Sequence, residues 1–513
     1  MFGGNSEMSL SEIQQEIVDT HGNMIVSASA GTGKTHTMVA KIEKEIEDNH
    51  THKVIAAITF TVKAAKEIKE RLKIDSSDHS IGTNNSFVIE EIIKPFAKDV
   101  YGDEFKGDIN TDYSIKKNTF EEGLAYLSEY KTICSYADNE KNFVFDLALR
   151  IVKQSAACRL FLKAKYIKIY VDEYQDCDQM MHEFFMYICK TLKIDLFVVG
   201  DPKQSIYIWR GAYPEAFRSI FLMDDFQKKV LRDNYRSCQQ IQNYSNLLTD
   251  ETRSLYTPCS DKSAILLVNA NSYNWVGKVC DHLDLNKTCA LLRFSNRNAQ
   301  IGAEELSQMG TPFTYIPRTP ISDITTDVSW LYNAIAQYFI LKEYSIYDFM
   351  DEIPEESVGD RKIKQYLKEK LNFIEKALNN KLYGDVIQEV ENIAAYFGYT
   401  SSENNIKKLI ATINDEEYHA AFKMDELQHV SITFHSSKGL EFDQVIVFAN
   451  DYQLDDNDSI CNHYVAVTRA KSRLIIVKLC DYKQYNGMKY FDNLTKMFEK
   501  AGIRPDDVMQ IIE

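Results

Sequence analysis

Several features are missing from this 513-residue sequence. No two of its ten cysteines have C-x-x-C spacing. That argues against a zinc ribbon and, more weakly, against a redox motif. Scattered thiols in a chain this long read as reduced and mostly buried, as in a cytosolic protein. No uninterrupted apolar run is long enough to cross a bilayer, so no membrane is expected. The opening "MFGGNSEMSLSEIQQE" has no basic segment followed by an apolar one, so no secretory signal is expected. An excess of positive charge is also absent. The net charge is −16, which excludes a protein that coats nucleic acid by bulk charge. Any such site has to be a local groove in an acidic body. There is no short-period repeat and no low-complexity tract.

The composition is ordinary for a soluble globular chain, with 44% hydrophobic and 26% charged residues. The length predicts two to four domains. Strand-like and helix-like stretches alternate in the first half. "NMIVSASAG", "HKVIAAITFT", "YIKIYVDE" and "IDLFVVGDP" read as buried strands, and "KTHTMVAKIEKEIE" and "VKAAKEIKERL" as helices. In the latter, Ala65, Ile68 and Leu72 form the apolar side, while Lys63, Lys66, Lys69 and Lys73 read as a solvated face. Such alternation predicts a parallel sheet with crossover helices. Alternation resumes at "SAILLV" and "TCALLRFS" and again at "HVSITFHS", "QVIVFAN" and "RLIIVKL". Two helical stretches interrupt it, 87–165 and 321–425.

Two motifs carry chemistry. "ASAGTGKT" (residues 28–35) lies between a strand and a helix, as a phosphate-binding loop requires. Its small residues Ala28, Ser29, Ala30, Gly31, Thr32 and Gly33 let backbone N–H groups approach phosphate oxygens. Lys34 would bridge the terminal phosphates, and Thr35 would offer a hydroxyl to Mg²⁺. The strict pattern begins with Gly where this chain has Ala28. The second motif is "KIYVDEYQDCD", an apolar strand ending in acids. Asp172 fits as a Mg²⁺ ligand, either directly or through a bound water, and Glu173 as the base that activates water. Together the two motifs predict a magnesium-dependent nucleoside triphosphatase.

"ASAGTGKT", "AAITFTVKAAKEIKERL", "VDEYQD", "VGDPKQSIYIWRGA", "LRDNYRS", "TFHSSKGLEF" and "NHYVAVTRAKSRL" follow one another in this order. As a set they resemble the ordered motifs of the UvrD/Rep family of superfamily 1 DNA helicases, over residues 10–477. The resemblance implies an α/β fold of two RecA-like P-loop NTPase cores, each with a mostly helical insertion. The implied first core is 1–86 and 166–230, with insertion 87–165. The second is 231–320 and 426–513, with insertion 321–425, reduced relative to the family. It implies further roles. Gln14 would read the adenine edge, and Gln204 would sense the γ-phosphate. Arg236 and Arg469, from the second core, would be arginine fingers. Tyr235 would stack on the base, and Glu441 would contact the ribose. Phe60, Trp209, Arg293 and His435 match positions that touch single-stranded DNA.

The sequence departs from the family in four places. Val62 replaces a usual Asn, and "GTNN" (82–85) replaces "GTxH", both at DNA-contacting sites. His36 stands where many members carry an arginine near the base, which bears on nucleotide choice. Residues 321–430 are few for both the remaining helices of the second core and a large duplex-engaging subdomain. A short UvrD-like chain of this kind resembles the B subunit of the Gabija anti-phage defence system. That resemblance implies an OLD-type nuclease partner in a hetero-oligomer. Three functions stay open: a 3′→5′ translocase on single-stranded or tailed DNA, a DNA-end-sensing nucleotidase without processive unwinding, and a housekeeping repair helicase. No nuclease motif is present.

Overall fold

The run "MIVSA" forms the first strand, β1 (Met24–Ala28), of the computed structural model. The structure describes residues 9–107, 109–324, 326, 328–354, 361–481 and 484–513. β1 is followed by β2 (Val54–Thr59), β3 (Ser80–Thr83), β4 (Asn110–Lys117), β5 (Thr132–Tyr136), β6 (Tyr166–Val171), β7 (Asp195–Gly200) and β8 (Gln227–Leu231). Six of them make one sheet in the order β3-β2-β6-β7-β1-β8, with every neighbouring pair parallel. Parallel sheets are covered on both faces, so their inner strands are mostly apolar, while the edge strand β8 ("QKKVL") is largely exposed. Ile55, Ala57, Tyr170, Phe197 and Val199 join one buried cluster. The alternate residues Ala56, Ile58, Ile169, Val171, Leu196 and Val198 join another. The period of two thus sorts one continuous apolar run into two cores, each fully buried aliphatic side chain contributing about 1.5–3 kcal/mol.

Three helices concern the site: α1 (Glu12–Asp19), α2 (Lys34–Asp48) and α3 (Val62–Arg71). On α3, Ala65 and Ile68 are buried, as expected, and Lys63, Lys66 and Lys69 are exposed, as is Lys73 just beyond it. Lys41 of α2 is buried and donates to the Val18 and Thr20 carbonyls (3.2 and 2.7 Å). A cation suits these carbonyls at a helix C-terminus. Burial, and then the neighbouring Lys168, pull its pKa down to about 8.

The stretch 87–165 is not helical alone. Besides the helices Phe120–Tyr130, Phe143–Gln154 and Ala156–Lys165, it holds the parallel pair β4–β5. Tyr113 and Ile115 pack on the core while Ser114 and Lys116 are exposed. That is strand alternation, hidden in sequence among charged residues.

The chain divides into two units, Met1–Arg236 and Ser237–Glu513. The first unit closes at Arg236 rather than at 230. The reason is that Leu231 still pairs with Ala28, and Tyr235 N donates to the Gly31 carbonyl (2.8 Å).

In the second unit, β9 (Ile265–Ala270), β10 (Cys289–Arg293), β11 (Thr314–Tyr315), β12 (His429–Thr433), β13 (Phe442–Phe448), β14 (Ala470–Leu479) and β15 (Gln510–Ile512) form a second parallel sheet. Its order is β11-β12-β10-β13-β14-β9-β15. Helices Ser329–Ile340, Arg361–Asn379, Tyr383–Tyr396 and Glu403–Asn414 make a separate core. Ile363, Leu367, Leu371 and Ile374 line one stripe of the second of these, at the spacing of a buried helix face. Among the described residues, no helix is long and apolar enough to cross a membrane.

His463, on the helix Asn457–Val467 of the second unit, is fully buried. Its Nε2 is hydrogen-bonded to the hydroxyls of Tyr244 (2.8 Å) and Tyr490 (3.1 Å). Burial pushes its pKa from 6.5 down to about 3. Between those values the unfolded chain takes up a proton that the folded chain refuses. The associated stability is therefore complete above about pH 6.5 and falls as pH drops toward 3. At pH 4.5 the loss is about 2–3 kcal/mol. Urea unfolding of wild type and His463→Leu at pH 7 and 4.5 checks this: the variant should show a smaller loss between the two pH values.

Candidate nucleotide site

Parallel strands end on one edge of their sheet, where α/β proteins place their sites. At that edge the loop 28–35 joins β1 to α2. Gly31 and Gly33 both have a φ of +76°, a region L side chains rarely adopt. A Cβ on Gly31 would stand 2.5 Å from Asn234 Oδ1. The loop is pinned from inside and outside. Thr32 Oγ1 donates to the Ser29 carbonyl (2.8 Å), and Asn234 Nδ2 donates to the Ala30 carbonyl (3.0 Å). Thr35 lies on the first turn of α2.

The acids after β6 face this loop. Lys34 Nζ forms a close ion pair with Glu173 and lies 3.9 Å from Asp172 Oδ1. Asp172 is 5% exposed, and its Oδ1 accepts from Glu173 N (2.8 Å). Glu173 itself has a φ of +51°. This strained left-handed position turns its carboxylate toward Lys34 rather than along the strand. Behind it, Gln175 Nε2 donates to the Glu173 carboxylate, and Gln175 Oε1 accepts from Asp201 N at the end of β7 (2.9 Å). Asp201 also accepts from Gln204 Nε2 (2.9 Å) and pairs with Lys203 (2.8 Å). Lys203 Nζ returns to the loop, donating to Ser29 Oγ (3.1 Å). The contacts thus close a ring from Lys34 through Glu173, Gln175, Asp201 and Lys203 to Ser29.

The remaining predicted nucleotide residues divide between the units. Gln14 on α1 is buried. Its Oε1 accepts from Ser11 N (2.9 Å), closing a capping box, and its Nε2 donates to the Thr32 carbonyl (3.2 Å). These two bonds use its carbonyl oxygen and one amide hydrogen. His36 Nε2 is buried without a hydrogen-bond partner among the described residues. Tyr235 is half-exposed, and Arg236 N donates to Asn234 Oδ1 (2.8 Å). Both were expected on the second core and belong to the first unit. Glu441 and Arg469 are in the second. Glu441 pairs with Lys471 (2.7 Å). Arg469 is 2% exposed, and its guanidinium donates to the Val465 (2.9 Å) and Leu440 (3.3 Å) carbonyls.

The predicted DNA residues fare unevenly. Phe60 is partly buried and packs on the core of the first unit. Arg293 is committed elsewhere. It makes a bidentate pair with Asp451 (2.7 and 3.1 Å) and lies 3.8 Å over the Phe448 ring. A guanidinium held on both counts is not offered to a strand. His435 lies against Phe434 (3.8 Å between centroids, rings tilted by 36°) beside the half-exposed Phe294. The Trp209 side chain lies outside the described residues.

A family model described as an AAA domain matches residues 13–210, and one described as the UvrD-like helicase C-terminal domain matches 429–477. The Gabija protein GajB of Bacillus cereus (strain VD045) is 39% identical over 94% of this chain and 97% of its own length. The chain belongs to the GajB family of UvrD-like helicases. More distant relatives are the ATP-dependent DNA helicase PcrA of Staphylococcus epidermidis, 23% identical over 91% of this chain and 82% of that one, and the ATP-dependent DNA helicase Rep of Buchnera aphidicola subsp. Acyrthosiphon pisum, 28% identical over 47% and 45%. The chain is therefore a DNA-binding ATPase of helicase type and a member of a defence-system family.

Sequence reading missed Gln175, Asp201, Lys203 and Asn234. The signal was present for one pair: "GDPKQ" sets an acid and a lysine straight after the apolar run "LFVVG", where charges are buried and must be paired. Asn234 carries no such signal, because its role comes from tertiary contacts with the loop, its bond to the Ala30 carbonyl and its approach to Gly31. That approach makes a prediction. Gly31→Ala should destabilise the first unit by about 1–3 kcal/mol and abolish nucleotide binding. Urea unfolding and titration with a fluorescent ATP analogue measure the two effects.

Proposed function

We propose that the chain hydrolyses ATP with Mg²⁺ at the loop 28–35, moves 3′→5′ on single-stranded or tailed DNA, and acts in anti-phage defence beside a nuclease supplied by another chain. One observation carries the reading: the loop lysine, two strand-end acids and a glutamine meet at one sheet edge, in a chain aligned with GajB over nearly its full length. The two units are read as the RecA-like cores, with insertions at 87–165 and 321–425.

Lys34 binds the terminal phosphates as a point charge, and the loop N–H groups hold the others. The Thr35 hydroxyl and the nearly buried Asp172 carboxylate are hard oxygen donors. They fit an ion that takes one carboxylate alongside phosphate and water oxygens. When bound, Mg²⁺ neutralises charge on the phosphates. Glu173 accepts the proton of the attacking water at its carboxylate. Gln175 orients that carboxylate, and Asp201 orients Gln204 toward the γ-phosphate. Arg236 and Arg469 stabilise charge on the transferring group. Gln14 and Tyr235 receive the base, His36 borders it, and Glu441 receives the ribose. Phe60, Trp209 and His435 line the DNA path, where each stacked base contributes roughly 1–3 kcal/mol.

A second reading, a DNA-end-sensing nucleotidase without processive unwinding, is favoured by two details. Val62 is 50% exposed at the start of α3, where it offers a strand no hydrogen bond. Asn85 Nδ2 is engaged by the Tyr113 hydroxyl (3.3 Å).

ATP hydrolysis should rise with single-stranded or 3′-tailed DNA and vanish in Lys34→Ala. Glu173→Gln should keep ATP affinity but lose roughly 10²–10⁴-fold in kcat. Strand separation measured in parallel decides between the readings. Stimulation with unwinding fits the translocase, and stimulation without it fits the sensor. No stimulation by any DNA would sink both.

A further inference from the structure

The pair Lys203–Asp201 has no task in the ATPase chemistry described above beyond holding Gln204, yet it is expensive to bury. Lys203 is 6% exposed and Asp201 is not exposed at all. A buried ion pair often contributes no more than apolar residues would in its place, so packing alone does not account for it. Its geometry suggests a use. Lys203 Nζ donates to Ser29 Oγ (3.1 Å) while holding Asp201 Oδ1 (2.8 Å). A serine hydroxyl that accepts from an ammonium still has its own proton to give. Accepting that bond also polarises the O–H and makes it a stronger donor to an anion. Ser29 is the second residue of the phosphate loop, on the side reached from β7. Gln204 hangs from the same strand end, through the other oxygen of the same carboxylate (2.9 Å).

We propose that Lys203 is a positioning residue that makes Ser29 a donor to the terminal phosphoryl oxygen and, through Asp201, ties that contact to the placement of Gln204. The site then distinguishes a nucleoside triphosphate from a diphosphate at two points joined by one buried carboxylate. This rests on the reading of loop 28–35 as an ATP site.

The experiment uses the full chain and titrates fluorescent ATP and ADP analogues, with steady-state ATP hydrolysis alongside. Ser29→Ala should weaken ATP binding by about tenfold or more, the range for a hydrogen bond to a charged group, and leave ADP binding within about twofold. Lys203→Met should reproduce that selective loss and also lower kcat, because Gln204 is released. Lys203→Arg, which keeps the donor, should restore part of the ATP preference. The double variant Ser29→Ala with Lys203→Met should bind ATP no more weakly than Lys203→Met alone. If Lys203→Met does not fold, Ser29→Ala and Lys203→Arg still decide. An unchanged ATP-to-ADP affinity ratio in Ser29→Ala overturns the proposal, as do additive losses in the double variant. If wild type hydrolyses no more ATP than Lys34→Ala, the functional reading fails separately, because the affinity ratio is read without turnover.

Discussion

Asp201 is wholly buried at the end of β7, and four groups converge on it: the Lys203 ammonium, the Gln204 amide, the Gln175 carbonyl oxygen through the backbone N–H, and, one contact further, the loop hydroxyl of Ser29. A carboxylate in that position costs several kcal/mol unless its partners are all present. Exposed pairs such as Lys44–Asp48 on α2 contribute little, because water screens both charges. The difference decides which charges organise the site. Those on the helix faces can be lost with little effect, whereas those at the strand ends hold one another in place.

The sheet makes this convergence possible. With β6, β7, β1 and β8 adjacent and parallel, three consecutive loops and the tail of β8 leave the same edge within a few strand spacings of about 4.8 Å. Residues far apart in sequence, such as Ser29 and Lys203, thereby become hydrogen-bond neighbours without a long loop. Lys41 extends the support to the helix that carries Gln14. A shift of α1 is therefore felt at Thr32, whose carbonyl Gln14 holds.

Much of this was legible in the sequence. The apolar strands, the phosphate loop and the acids at 172 and 173 stand out because burial and phosphate binding each demand particular residue types in order. The pair β4–β5 did not stand out, since charged residues hide the alternation of Tyr113 and Ile115. The place of Tyr235 and Arg236 in the first unit did not stand out either, because it rests on a backbone bond from Tyr235 to Gly31 and on the Asn234 side chain, which no side-chain pattern announces. Arg293 resembles a DNA contact in its motif. The sequence holds no hint that Asp451, more than 150 residues later, takes its guanidinium.

Glu173 sits in a left-handed conformation that an ordinary L residue holds at roughly 1–2 kcal/mol. Glycine would occupy it freely, and asparagine with less strain. A library selected for heat resistance alone would therefore drift toward Gly or Asn at 173 and discard the carboxylate on the way. With Glu173 in the proposed role of base, durability and turnover pull this position in opposite directions, so a thermostabilised form of this chain has to find its gains elsewhere.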